Sequence, residues 1–161
     1  MAPQFVDFNA DGHLDIVTGT FDGSPHISYG SKDGFTEPER FLDKNGRRIM
    51  LGQFWNYETK EWDTHDEWPQ HQCTSAVAFD WDDDGDFDLI LGDYDQGQLF
   101  LHRNEGKAGA PSFAGKSTLI DAGGKPFKTA KVSSPHLVDW DGDGLMDLLV
   151  GSFGEDSYSS H

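Results

Sequence analysis

Three stretches carry side-chain oxygens far more densely than an ordinary folded surface: DFNADGHLD at 7–15, DWDDDGDFD at 80–88 and DWDGDGLMD at 139–147. They share the pattern D-x-[D/N]-x-D-G-x-x-D. Oxygens at positions 1, 3, 5 and 9 converge when the backbone coils tightly around a point. The glycine at position 6 (Gly12, Gly85, Gly144) permits that turn, and the position-7 carbonyl adds another oxygen. Five or six hard oxygen donors, some of them bidentate carboxylates, describe a calcium site. Magnesium demands a stricter octahedron and retains water, so a flexible cage of protein oxygens suits it less. The EF-hand is excluded, because it needs a glutamate at position 12 between two helices. Position 12 here is Thr18, Leu91 or Val150, and the flanks read as strand. Turns that bind nothing would not require a carboxylate at position 9 in all three places (Asp15, Asp88, Asp147).

The composition fits a cation-binding role. The 161 residues have a formal net charge of -17, which disfavours nucleic acid and anionic membrane as partners by simple repulsion. Aromatics at 13% argue for a folded chain rather than a disordered acidic one. No apolar run approaches the length of a membrane span, so membrane insertion is not expected. The N-terminus has no basic region followed by an apolar stretch, so no secretion signal is read there. The lone Cys73 allows no internal disulfide and precedes an apolar stretch, where burial is expected rather than nucleophilic chemistry.

The acidic loops belong to a longer unit: VDFNADGHLDIVTG, FDWDDDGDFDLILG and VDWDGDGLMDLLVG. In each, the first aspartate (Asp7, Asp80, Asp139) lies twelve positions before a glycine (Gly19, Gly92, Gly151). Beyond that glycine, TFDGSPHISYGSKDG and DYDQGQLFLHRNEG both read as turn, short strand, turn. FLDKNGRR (41–48) and LIDAGGKP (119–126) both read as tight hairpins. Short apolar runs ending in glycine, 19 glycines in turn contexts and no helical period together predict an all-β chain. Each unit supplies about four strands, which is the signature of a four-stranded antiparallel β-propeller blade. The reading is a single domain over 1–161, with units starting near 4, 77 and 136, giving about two and a half blades. From Gly46 to Asp80 the first unit carries about 19 residues more than the second does from Gly124 to Asp139, an insert lying within 50–75.

With these loops and flanks, the chain resembles FG-GAP/VCBS-type repeats, the calcium-binding blades of integrin-α-like β-propellers. In that family the loop joins two adjacent strands of a blade, and the metal stiffens their connection. The resemblance implies ligands by position: Asp7, Asn9, Asp11, the His13 carbonyl and Asp15 in the first loop. The second loop would use Asp80, Asp82, Asp84, the Asp86 carbonyl and Asp88. The third would use Asp139, Asp141, Asp143, the Leu145 carbonyl and Asp147. Up to three Ca2+ ions are therefore expected, with the first site weakest because Asn9 replaces a carboxylate with a neutral oxygen. A closed propeller needs more blades than this chain supplies. A piece of a longer propeller, self-assembly through open blade edges into a homo-oligomer, and a monomer whose insert covers its edges all fit, preferred in that order.

The insert QFWNYETKEWDTHDEWPQHQC (53–73) falls outside the repeat. Trp55, Tyr57, Trp62 and Trp68 could contact a carbohydrate ligand, although packing over a blade edge is the preferred expectation. A transition-metal site from His65, Asp66, His71 and Cys73 has no recognised spacing. No nucleophile elbow, zinc-protease helix or phosphate-cradling loop is present. The resulting expectation is a calcium-binding, non-enzymatic module of a secreted, cell-surface or periplasmic protein, serving cell adhesion or recognition of a glycan or surface protein. The alternative is a fragment of a propeller-type polysaccharide lyase or other carbohydrate-active enzyme.

Overall fold

A computed structural model describes residues 3–64 and 68–154. Among the described residues there is no helix, and the strands form the repeated sheets that the sequence pattern predicts. The first sheet contains β1 (Gln4–Val6), β2 (Asp15–Gly19) and β3 (Pro25–Ser28). A small hairpin follows, made of β4 (Gly30–Ser31) and β5 (Gly34–Phe35), before β6 (Glu39–Arg40) returns to complete the order β1-β2-β3-β6. The insert forms a separate antiparallel hairpin, β7 (Gln53–Asn56) and β8 (Glu61–Thr64). The second sheet is a meander of β9 (Cys73–Phe79), β10 (Asp88–Asp93), β11 (Leu99–His102) and β12 (Thr118–Leu119). β13 (Ser134–Val138) and β14 (Asp147–Gly151) form a third, two-stranded piece. Two four-stranded blades and a half blade result, and among the described residues they do not close into a ring.

Burial explains why the units differ in texture. In β2 the sequence DIVTG alternates between buried and half-buried residues, as a strand with one covered face should. In β10 every residue of DLILGD is buried. Leu89 and Leu91 face the first blade, in one apolar cluster with Val17, Ile27, Ala76, Ala78 and Phe100. Ile90 faces the other way, in a second cluster with Val77, Leu99 and Leu101, against which Leu137, Leu148 and Val150 of the third unit pack. The continuous apolar run of the second repeat thus reflects a blade covered on both faces.

The blades approach one another through the glycines that end the first two motifs. A Cβ on Gly19 would overlap the Thr74–Ser75 backbone of β9, and a Cβ on Gly92 would overlap Ser75 Oγ and the Ser133 carbonyl. Side chains seal the other end of the interface. Phe8 of the first acidic loop stacks on Phe87 of the second, with centroids 5.9 Å apart, and meets Phe41 and Phe113 at 5.3 and 6.3 Å. The two predicted hairpins at 41–48 and 119–126 are tight reversals closed by single bridges, Leu42 with Arg48 and Asp121 with Pro126. Among the described residues no helix is long and apolar enough to cross a membrane.

Candidate functional site

Each acidic loop links the first two strands of its unit, and all three wind in nearly the same way. The position-1 carboxylate collects backbone amides across the turn. Asp7 accepts from the Asp11 and Gly12 amides at 3.0 and 2.9 Å. Asp80 accepts from Asp84 and Gly85 at 3.1 and 3.0 Å, and Asp139 from Gly142 and Gly144 at 2.7 and 3.1 Å. The position-5 carboxylate takes the position-7 amide in every loop: His13 to Asp11, Asp86 to Asp84 and Leu145 to Asp143. Gly12, Gly85 and Gly144 have φ of 88°, 91° and 90°, with open space where a Cβ would sit, so backbone conformation alone demands glycine. Position 4 is left-handed too, at Ala10 (58°), Asp83 (58°) and Gly142 (76°). Only the third loop places a glycine there.

The loops differ in which carboxylates they gather. In the second, one oxygen from each of Asp80, Asp82 and Asp84 lies within 4.8 Å of the others, and in the third the same holds for Asp139, Asp141 and Asp147. The first loop brings no three carboxylates together in this way. Asn9 sits at its position 3, donating from Nδ2 to Asp11 Oδ2 at 3.1 Å. Asp11 is also 3.3 Å from the His13 ring, and its carboxyl is held below the usual range, chiefly by the His13 amide.

The position-9 aspartates also accept hydrogen bonds from the backbone. Asp15 is fully buried and accepts from the Phe8 amide (2.9 Å) and from the Gly30 amide on β4 (2.8 Å). Asp88, 1% exposed, accepts from the Asn104 amide (2.6 Å), the Trp81 amide (3.3 Å) and Arg103 Nη1 (3.1 Å). Asp147 accepts from the Trp140 amide at 2.9 Å. In each loop, then, this carboxylate ties position 2 to the start of the next strand. In the first two units it also reaches the chain beyond the third strand.

The second loop has the most strained electrostatics. Burial, followed by the charges of Asp84, Asp88, Asp80 and Asp82, pushes the Asp86 carboxyl up to about 6. Its Oδ1 is buried with no hydrogen-bond partner among the described residues. Burial also raises Asp88, despite the hydrogen bonds it accepts and the Arg103 charge. Arg103 partly relieves this crowding, with Nη1 2.8 Å from Asp82 and 3.1 Å from Asp88. Sequence reasoning missed Arg103: it follows β11, where the first unit has Tyr29, and nothing in the repeat marks it. Asp83 is exposed, as expected for a residue outside the donor set.

The aromatic insert divides in two. Trp68 packs on the blade core, its ring centroid 5.1 Å from that of Phe100, and its Nε1 is buried without a partner among the described residues. Trp55 and Trp62 pair across β7 and β8 at 5.6 Å. Tyr57 and Trp62 stay open at 61% and 49% exposure. His65 and Asp66 lie outside the described residues. His71 is buried, with Nδ1 3.0 Å from Asp93 Oδ2. Cys73 is fully buried, and desolvation raises its thiol pKa far above the usual value. Among the described residues, neither His71 nor Cys73 joins a metal-ligating group.

Residues 80–150, from the second acidic loop through the third, match the family model described as FG-GAP-like repeat. No curated protein and no solved structure matches the chain.

Proposed function

We propose that this FG-GAP-type repeat protein, a propeller-type repeat module, binds calcium in its acidic loops and belongs to a secreted or surface protein that recognises a glycan or another protein. The observation that supports this most directly is the paired convergence of Asp80, Asp82, Asp84 and of Asp139, Asp141, Asp147 at equivalent places in two units. The donor set fits the ion: all are hard oxygens, and the loop backbone that carries them is pinned by its own amide hydrogen bonds. The unpartnered Asp86 Oδ1, buried among like charges, is consistent with a loop short of positive charge.

In this reading Asp80, Asp82, Asp84 and Asp88 with the Asp86 carbonyl hold the second ion. Asp139, Asp141, Asp143 and Asp147 with the Leu145 carbonyl hold the third. Asp7, Asn9, Asp11 and Asp15 with the His13 carbonyl hold the first and weakest. A bound divalent ion supplies positive charge that neutralises the clustered carboxylates. The protein's part is to hold positions 1 and 5 through backbone amides, so that little ordering is left for binding. Three ions would bring the formal charge from -17 to -11. Extracellular calcium, about millimolar, suits modules of this affinity class and supports an extracellular setting. The test is isothermal calorimetry with calcium on chelator-treated protein, with thermal melts in calcium and in chelator. Saturable binding and a raised melting temperature are expected, and an unchanged melt with no binding heat refutes the proposal.

A further inference from the structure

Away from the acidic loops, two arginines meet over one buried carboxylate. Arg40 on β6 and Arg48, just beyond the reversal at 43–47, meet the β7–β8 hairpin around an open cavity of about 340 Å3. Its lining is Arg40, Arg48, Phe54, Asn56, Tyr57 and Glu58. Beneath it lies Asp22, whose side chain is 3% exposed. Asp22 Oδ2 accepts from Arg40 Nε at 3.2 Å and pairs with Arg40 Nη2 at 3.1 Å; Arg48 Nη2 stands 3.7 Å away. Oδ1 is occupied by the Thr20 hydroxyl and by the Ser24 amide and hydroxyl. One carboxylate thus faces two guanidiniums. His26 Nε2 is 3.6 Å from Oδ2, but burial lowers the imidazole pKa and keeps it from adding a third cation near neutral pH. Arg48 is itself lowered, first by burial and then by the charge of Arg40.

The hairpin is fastened over this floor. The Trp55 amide donates to the Asp22 carbonyl at 2.8 Å, and the Gln53 amide donates to the His71 carbonyl at 2.7 Å. Arg48 lies over the Phe54 ring, 4.6 Å from its centroid, and Arg40 lies 5.4 Å from that of Tyr57, which stays 61% exposed. A cavity of this volume is at the small end of ligand pockets, which run roughly 300–1,000 Å3.

We propose that this cavity binds the carboxylate of an acidic saccharide, with Arg40 and Arg48 holding the carboxylate and Tyr57 lying against the sugar ring. The inference deepens the recognition role proposed above and rests on it. Guanidinium groups pair strongly with carboxylates. Asp22 holds the Nε/Nη2 edge of Arg40, and Arg48 Nη1 donates to the Trp55 carbonyl at 3.4 Å. Arg40 Nη1 and the remaining Arg48 donors are therefore what a ligand carboxylate would meet. The open tyrosine beside them offers a flat apolar face of the kind a pyranose ring presents. An acidic peptide has the charge without the face. Glu58 at the rim opposes any anion and sets the selectivity against more highly charged groups.

The test is calorimetric titration of the full chain with trigalacturonate in calcium buffer, with the blank titration into buffer subtracted. Saturable binding is expected, with neutral maltotriose at least about tenfold weaker. Arg48→Gln should weaken trigalacturonate binding by about tenfold or more. Because Arg48 also supports Asp22, two substitutions on the exposed hairpin turn serve as independent checks: Tyr57→Ala should weaken binding and Glu58→Gln should strengthen it. The proposal is overturned by no saturable trigalacturonate binding or by equal binding of maltotriose. Equal binding of hexaglutamate, or affinity unchanged in both Arg48→Gln and Tyr57→Ala, would overturn it too. A separate calcium titration without saccharide scores the metal reading, so failure of one is distinguishable from failure of the other.

Discussion

Replacing Asp88 by alanine and, separately, Asp84 by asparagine separates two jobs that the acidic loops combine. Asp88 is buried and holds the Asn104 amide at 2.6 Å, the Trp81 amide at 3.3 Å and Arg103 at 3.1 Å. Asn104 is buried, so its amide would lose its partner without gaining water, at about 1–3 kcal/mol. Trp81 is 40% exposed and its bond is long, so its amide adds little. Arg103 keeps Asp82, and removing a carboxylate whose charge is disfavoured by burial returns part of the loss. The expected destabilisation is about 2 kcal/mol, present even in chelator. Asp84 is exposed and accepts only the Asp86 amide at 3.1 Å, which an asparagine oxygen can also do. Asp84→Asn should therefore cost less than about 0.5 kcal/mol in chelator. It should nonetheless remove most of the calcium-dependent gain at its loop, which is about 2.7 kcal/mol at a hundredfold excess over Kd. Urea unfolding followed by tryptophan fluorescence, in EDTA and in 10-fold-spaced calcium concentrations, reads both quantities. A loss below about 1 kcal/mol for Asp88→Ala in EDTA, or equal losses for the two variants there, refutes the division of labour.

Further outcomes concern other parts of the molecule. Burial holds His102 down to about 4, against 6.5 for a free histidine, with its ring between Ser117 Oγ and the Ala114 carbonyl. Between these values the unfolded chain takes up a proton that the folded ring refuses. Stability should therefore fall as pH drops through 6.5 to 4, by about 3 kcal/mol in all, and His102→Gln should flatten that part of the urea-derived pH profile. Gly92→Ala forces a methyl group onto Ser75 Oγ and the Ser133 carbonyl, which are themselves hydrogen-bonded at 2.6 Å, and should lower stability by about 1–3 kcal/mol in the same assay. Ala10→Gly relieves a left-handed alanine at φ 58° and should raise the melting temperature in calorimetry, by the equivalent of about 0.5–1 kcal/mol. Calcium titration monitored by loop-specific NMR signals should fill the first loop, with Asn9 at position 3, after the second and third.

Strands, repeat period and loop positions were legible because they depend on local rules: alternation of apolar residues, glycine at a left-handed turn, and fixed spacing. The pattern D-x-[D/N]-x-D-G-x-x-D located all three loops and the position-6 glycines. It said nothing of position 4, where Ala10 and Asp83 also take a left-handed backbone. It gave no sign that Asp15 and Asp88 also hold the amides of Gly30 and Asn104, 15 and 16 residues downstream. A one-dimensional pattern has no access to such partners. The same holds for Arg103 and for the stack of Phe8 on Phe87, contacts set by how neighbouring units dock. In the insert, aromatic composition alone could not separate Trp68, which fills the core beside Phe100, from Tyr57, which stays open. That difference arises from where the β7–β8 hairpin is tied down by Asp22 and His71.

Gly19 and Gly92 lie at the same place in two successive units, each pressed against the neighbouring unit's chain at or beside its first strand. The clearance between neighbours is therefore written into the unit rather than into the partner. A segment that carries its own spacer can be duplicated in tandem and still dock on the next sheet, without compensating change elsewhere. Lengthening such an array would then require only copying, while the loops and inserts on each copy remain free to diverge.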